Sequence, residues 1–312
     1  MTAPPRIAGT STEELIRGLE LQVNRRLDGL LHGDYLGLVP GHGSEPGDAR
    51  AYLAGDDVRR IDWNVSARMP DIHVRETIAD RELESWVLLD RSPSLDFGTA
   101  ACRKRDLAYA AASAFGFLTL RTGNRFGAVA ADARGTRVLP PGTGRPHLLS
   151  VLRRLADPGP ADGAGATPLG ESIDRLGRLC RRRGLAVVIS DFLTDADWEH
   201  PLRALAARHD ALVVEIIDPR ELELPDVGVI DLVDPATGRR REVQTSNAGL
   251  RRRYAAAAAA QRATTARSIR ASGADHLVLR TDGDWLRDLL RFVHLRRERV
   301  HARPTAGSAS RR

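Results

Sequence analysis

Residues 85–90 read SWVLLD, and the reading of this stretch decides the fold. Trp86 to Leu89 form an unbroken apolar run that stops at an acid, Asp90. A short apolar run without alternation is the pattern of a strand covered on both faces, as in a parallel sheet between helices. Two further runs behave alike: LAVVISD at 185–191 and LVVEIID at 212–218. Helical periodicity lies between and after them, in RKRDLAYAAASAFGFLTLRTG, RPHLLSVLRRLAD, PLGESIDRLGRLCRRRG and ADWEHPLRALAARHD. RFGAVAAD, TRVLPP and DHLVLR read as strands, VGVIDLVDPATGRRREVQT as a hairpin insertion, and AGLRRRYAAAAAAQRATTARSIRASG and DWLRDLLRFVHLRRER as the last helices. This alternation from residue 85 to 299 predicts an α/β, doubly wound, mostly parallel sheet with helices on both faces.

Upstream, residues 13–31 place Leu15, Leu19, Val23 and Leu27 on one helical stripe. A glycine-rich loop region follows, then an extended segment, DIHVRETIA, at 71–79. The expected organisation is an N-terminal helix and loop extension over 1–79, the α/β domain over 80–300, and a disordered tail over 301–312.

Composition narrows the function classes. The chain of 312 residues is 42% hydrophobic and 28% charged, ordinary values for a globular protein. No apolar run approaches the roughly 20 residues of a membrane helix, and the N-terminus lacks the basic-then-apolar pattern of a secretory signal. Cys102 and Cys180 are expected to be buried free thiols, and a bacterial-type cytoplasmic location fits. The net charge of +6 invites a nucleic-acid reading, but nine arginines against four acids fall in 280–312 alone. Lys104 is the sole lysine among 47 basic residues, which suggests a GC-rich coding bias rather than a phosphate-binding face.

The chemistry gathers at strand ends, where sheets of this class keep ligands. Asp90 and Asp191 each end an apolar run, so one site can hold both. The spacing D-x-S-x-S lets Asp90, Ser92 and Ser94 turn toward one point, and Thr167 stands just before a helix. Three hydroxyls and two carboxylates, without His or Cys, suit a hard cation, Mg²⁺ or Mn²⁺, at about 2.0–2.2 Å. The bland alternatives are that Ser92, Ser94 and Thr167 cap helices and that the two acids are ordinary strand-end residues. A phosphatase of the haloacid dehalogenase kind would need a second Asp where Ser92 stands. The sequence holds neither G-x-S-x-G nor G-x-x-x-x-G-K-[ST]. A metal-dependent hydrolase, or a basic nucleic-acid binder, is the alternative function.

These residues, DRSPS, then Thr167, then ISD, resemble the metal-ion-dependent adhesion site of von Willebrand factor A-type domains. The resemblance implies that Ser92, Ser94 and Thr167 coordinate Mg²⁺ through their hydroxyls, with Asp90 and Asp191 acting directly or through water. It also implies one open position for a partner's carboxylate. A second resemblance lies upstream. R-x-Y at 50–52, GDD-x-R-x-IDW at 55–63, SAR at 66–68 and VRE at 74–76 are similar to the signature of the domain-of-unknown-function-58 family. Together the two cover roughly residues 30–200. They imply a non-enzymatic interaction module that partners a MoxR-type AAA+ ATPase in activating or remodelling client proteins. Asp56, Asp57, Arg59, Asp62, Trp63 and Arg68 form the expected recognition surface; the plain alternative is a lead-in that docks by Trp63 and Tyr52.

Overall fold

The computed structural model describes residues 11–30, 49–51, 63–69, 71–75, 83–157, 167–194, 197–234 and 237–301. The chain divides into two compact units, one of Met1–Leu38 with Leu83–Arg312, the other Val39–Glu82. In the smaller unit, β1 (Ala49–Ala51) pairs antiparallel with β2 (His73–Arg75), and α2 (Trp63–Ser66) is a single turn. The helix α1 (Thr12–Leu30), expected to go with this signature segment, clusters with the larger unit instead. Its stripe explains why: Leu15, Ile16, Leu19 and Val23 are buried, and α1 packs on two helices of the main body.

The main body is the expected α/β architecture. Its strands are β3 (Glu84–Asp90), β4 (Arg125–Asp132), β5 (Gly135–Gly142), β6 (Leu185–Ser190), β7 (Asp210–Ile217) and, after the hairpin β8 (Val229–Val233) and β9 (Arg240–Gln244), β10 (Asp275–Arg280). They form one six-stranded sheet in the order β10-β7-β6-β3-β4-β5, parallel except for the edge strand β5, which runs antiparallel to β4. The three buried runs read from sequence are β3, β6 and β7, the last interrupted by the buried Glu215, and they are interior strands of the sheet. The hairpin insertion stays outside the sheet as its own two-stranded ribbon.

Helices cover both faces. On one face lie α3 (Lys104–Arg121), against β3, β4, β6 and β7, and α4 (Gly144–Ala156), against β4 and β5. On the other lie α5 (Leu169–Leu179), against β3 and β4, α6 (Glu199–Arg208), against β7, and α7 (Ala248–Ala271), against β10. The last helix is α8 (Trp285–His301). In a strand, side chains alternate between faces. Trp86 and Leu88 of β3 therefore join Ala186 and Val188 of β6, Ile173 of α5 and Leu202 of α6 in one core cluster. Asp90 and Ser190 share their parity and project toward the same face, where α5 begins. α3 is apolar all round, and α1 and α4 cover the side the sheet leaves open. Both cysteines are free and buried.

The start of α5 is held tightly. A Cβ added at Gly170 would lie 1.9 Å from the Asp197 carbonyl oxygen, so only glycine permits this approach. On the same helix, a Cβ at Gly177 meets nothing closer than Leu205 Cδ1 at 3.7 Å. Gly170→Ala is expected to destabilise the fold by about 1–3 kcal/mol, and Gly177→Ala to be neutral or stabilising by up to about 1 kcal/mol. Urea unfolding of the two variants measures the contrast; equal effects would place α5 differently.

Candidate metal centre

Asp90 closes the central strand and is 4% exposed. Both of its oxygens are engaged. Oδ1 accepts the Ser92 N–H at 2.8 Å, folding the loop back over the strand end. Oδ2 accepts the Ser190 hydroxyl from the neighbouring strand at 2.6 Å. Ser190 Oγ in turn accepts the Phe192 N–H at 3.0 Å. The loop continues into a 3-10 turn, Pro93–Asp96, in which Ser92 Oγ and Ser94 Oγ lie 2.9 Å apart. Ser92 occupies the cap position of that turn, yet its side chain makes no capping bond.

Asp191 follows β6 and is also buried. Its Oδ1 accepts the Leu193 N–H at 3.1 Å, and its Oδ2 accepts from Lys104 Nζ at 2.7 Å. Phe192, between them, has φ +55°, the one positive value for a non-glycine among the described residues. This left-handed conformation is strained for a bulky side chain. The Phe192 ring is fixed edge-on against Trp198, with centroids 4.8 Å apart, so packing holds the turn that aims Asp191.

Thr167 stands two residues before α5, the helix whose Ile173 packs with Trp86 and Leu88 on the face toward which Asp90 and Ser190 project. Its hydroxyl is buried and has no hydrogen-bond partner among the described residues. A cap would make such a bond; here Pro168 holds the cap position and Thr167 Oγ1 does not bond the helix. A buried hydroxyl left unpaired costs free energy unless something satisfies it. The capping alternative thus loses its geometric basis for both Ser92 and Thr167.

The structure brings Asp90, Ser92, Ser94 and Asp191 to one rim of the sheet, and Thr167 precedes α5, which packs on β3 and β4. Sequence reasoning missed three residues. Ser190 lies inside the ISD triplet but was read as strand. Lys104 and Glu221 meet Asp191 from remote segments: Lys104 Nζ bridges Asp191 Oδ2 and Glu221 Oε1. Among the described residues no group of three or more His, Cys, Asp and Glu is arranged to hold a metal ion by itself. Of the expected recognition surface, Asp56, Asp57, Arg59 and Asp62 lie outside the described residues, as do Tyr52 and the tail from residue 302. Within the described part of the smaller unit, Trp63 is 69% exposed and Arg68 is exposed.

The electrostatics follow from burial. Desolvation, then the nearby charge of Asp191, push the Asp90 carboxyl up from 3.8 to about 6, against the hydrogen bonds from Ser190 and Ser92. Burial acts to lower the Lys104 pKa, but Asp191 and Glu221 outweigh it, so the lysine is held in its charged form.

Fold and rim together define an α/β protein of doubly wound type with an oxygen-rich cluster at the carboxyl edge of its sheet. Residues 48–264 match the family described as protein of unknown function DUF58, and the chain belongs to that family. It is 54% identical over 282 residues to the uncharacterized protein Rv1480 of Mycobacterium tuberculosis, covering 90% of this chain and 89% of that protein. Among solved structures it is similar to the conserved hypothetical protein BatB from Bacteroides thetaiotaomicron (TM-score 0.47, 16% identity, 70% of this chain and 99% of that one). It is also similar to a von Willebrand factor type A structure from Catenulispora acidiphila (TM-score 0.34, 19% identity, 59% and 43%).

The raised carboxyl of Asp90 has a definite sign. Without cation, the folded chain holds this proton more tightly than the unfolded chain, so its contribution to stability falls as pH rises from about 4 through about 6. In EDTA, the thermal midpoint of Asp90→Asn relative to the parent should therefore rise across that window. A difference flat in pH would show that Asp90 does not ionise there.

Proposed function

We propose that the chain is a non-enzymatic, Mg²⁺-dependent protein-interaction module, with Mn²⁺ as a substitute ion. The single observation that carries this reading is the hydroxyl of Thr167, buried and without a hydrogen-bond partner among the described residues, just ahead of α5, the helix that packs on the strand ending at Asp90. This donor set fits a hard divalent cation. Hydroxyls supply neutral oxygens, and a raised Asp90 pKa marks negative charge that lacks a counter-ion. Ser92, Ser94 and Thr167 would hold the ion, with Asp90 and Asp191 direct or water-bridged. When bound, such an ion supplies a Lewis-acidic position that a partner's carboxylate can fill. Leu193 and Phe97 are exposed large apolar residues on the two loops that carry these donors. They give an acidic side chain apolar neighbours, which strengthens a charge contact by excluding water.

The partner on this reading is of the MoxR-type AAA+ ATPase class, as the resemblance of the upstream signature implies, with chaperone-like activation or remodelling of client proteins as the process. The exposed Trp63 and Arg68 would contribute to recognition in the smaller unit. No helix of the described residues is long and apolar enough to cross a membrane.

The test is retention of a purified MoxR-type AAA+ ATPase on the immobilised chain. Retention should require Mg²⁺, be lost in EDTA, and fall at least about tenfold in Ser92→Ala and Thr167→Val. Circular dichroism would verify that both variants keep the fold. Retention that ignores EDTA and both substitutions would sink this reading.

A further inference from the structure

The chain places its sole lysine at an unusual position. Lys104 opens α3, where the helix dipole disfavours a cation, and its side chain is fully buried. It is the one ammonium among 47 basic residues. Its Nζ lies 2.7 Å from Asp191 Oδ2 and also bridges Glu221, which follows β7. Glu221 is itself fixed: its Oε2 accepts the Asp218 N–H at 3.1 Å. Asp218 binds Thr99 and Thr281 through their hydroxyls, tying the loops after β3, β7 and β10 together. An arginine could not play this part equally, because its planar fork would spread charge where a compact point charge fits between two carboxylates.

We infer that Lys104 is a built-in counter-cation of the rim, which shares Asp191 with an incoming divalent ion and thereby sets how weakly the chain holds that ion on its own. The inference rests on the metal reading above and extends it to a residue outside the hydroxyl–carboxylate set. Affinity at oxygen sites follows the count of negative charge around the ion. The ammonium cancels part of that charge and occupies one oxygen of Asp191; Glu221 draws the ammonium back and divides its influence. Lys104 is thus a positioning residue that acts through Asp191. Weak binding to the free chain makes an added carboxylate from a partner worth more, since the ion is then retained chiefly in the complex.

The measurement is Mn²⁺ binding to the full chain, read from the loss of the free-ion paramagnetic resonance signal, with Mg²⁺ as competitor. Lys104→Met keeps the unbranched shape of the side chain, one atom shorter, and removes its charge; it should tighten Mn²⁺ binding about tenfold. Glu221→Gln keeps the shape and removes the pull on the ammonium; it should weaken binding about threefold. These opposite signs separate the proposal from a merely structural ion pair, whose loss would weaken binding in both variants or in neither. Should Lys104→Met fail to fold, Glu221→Gln decides alone: weaker binding in a chain with unchanged urea midpoint supports the proposal, and unchanged or tighter binding overturns it. A parent chain that binds no Mn²⁺ would overturn the metal reading and this inference with it. A parent that binds, with both variants unaltered, would overturn this inference only.

Discussion

The hydrogen bond from Ser190 to Asp90, 2.6 Å long and closed to solvent, is the constraint on which the rim depends. It joins the ends of two adjacent parallel strands, β3 and β6, whose ladder runs in register from Ser85–Leu185 to Leu89–Ile189. The alternation of side chains puts both residues on the same face, so a one-residue slip would separate them. From Ser190 the geometry propagates: its oxygen takes the Phe192 N–H, Phe192 adopts the left-handed turn, and Asp191 is thrown across toward Lys104. From Asp90 it runs the other way, through the Ser92 N–H to the paired hydroxyls. One bond thus orients both halves of an oxygen cluster that no single loop could form.

Burying carboxylates beside each other is costly, and the fold meets this cost in two unlike ways. Asp191 receives a permanent partner in Lys104, carried by α3, which is buried along most of its length. Asp90 receives only hydrogen bonds, and its charge stays unbalanced. Shielding α3 takes α1, whose apolar stripe closes over it, with Arg145–Glu20 and Arg26–Asp284 pairs at the margins. Surface pairs of this kind add little to stability; the apolar stripe does the holding. The N-terminal helix is therefore part of the site's foundation, although it lies far from the rim in sequence.

The sheet was legible because β3, β6 and β7 are covered on both faces and so are dominated by apolar residues, with Glu215 of β7 paired to Arg262 and His276. The acids at their ends, and the hydroxyls at D-x-S-x-S, were legible for the same reason: a strand's end is fixed once its core is. Other features were hidden by distance. Lys104 reaches Asp191 across 87 positions, and nothing local marks a lysine as a buried counter-ion. Its singularity was visible but read as codon bias. The attachment of α1 to the main body was likewise beyond periodicity, which shows that a helix has an apolar stripe without naming what covers it. Thr167 could be read as a helix cap from sequence, and only the absence of the capping bond in three dimensions separates the two roles.

The edge strand β5 carries a last consequence. Its sequence, GTRVLPPG, ends in two adjacent prolines, Pro140 and Pro141, and the Pro141 carbonyl is claimed by Arg125 from within the chain. Proline has no N–H to offer, so an arriving strand from another molecule would find its carbonyls unanswered along this stretch. The sheet consequently terminates at this side, and crowding many copies together gives fibrous growth no seed along its prolines.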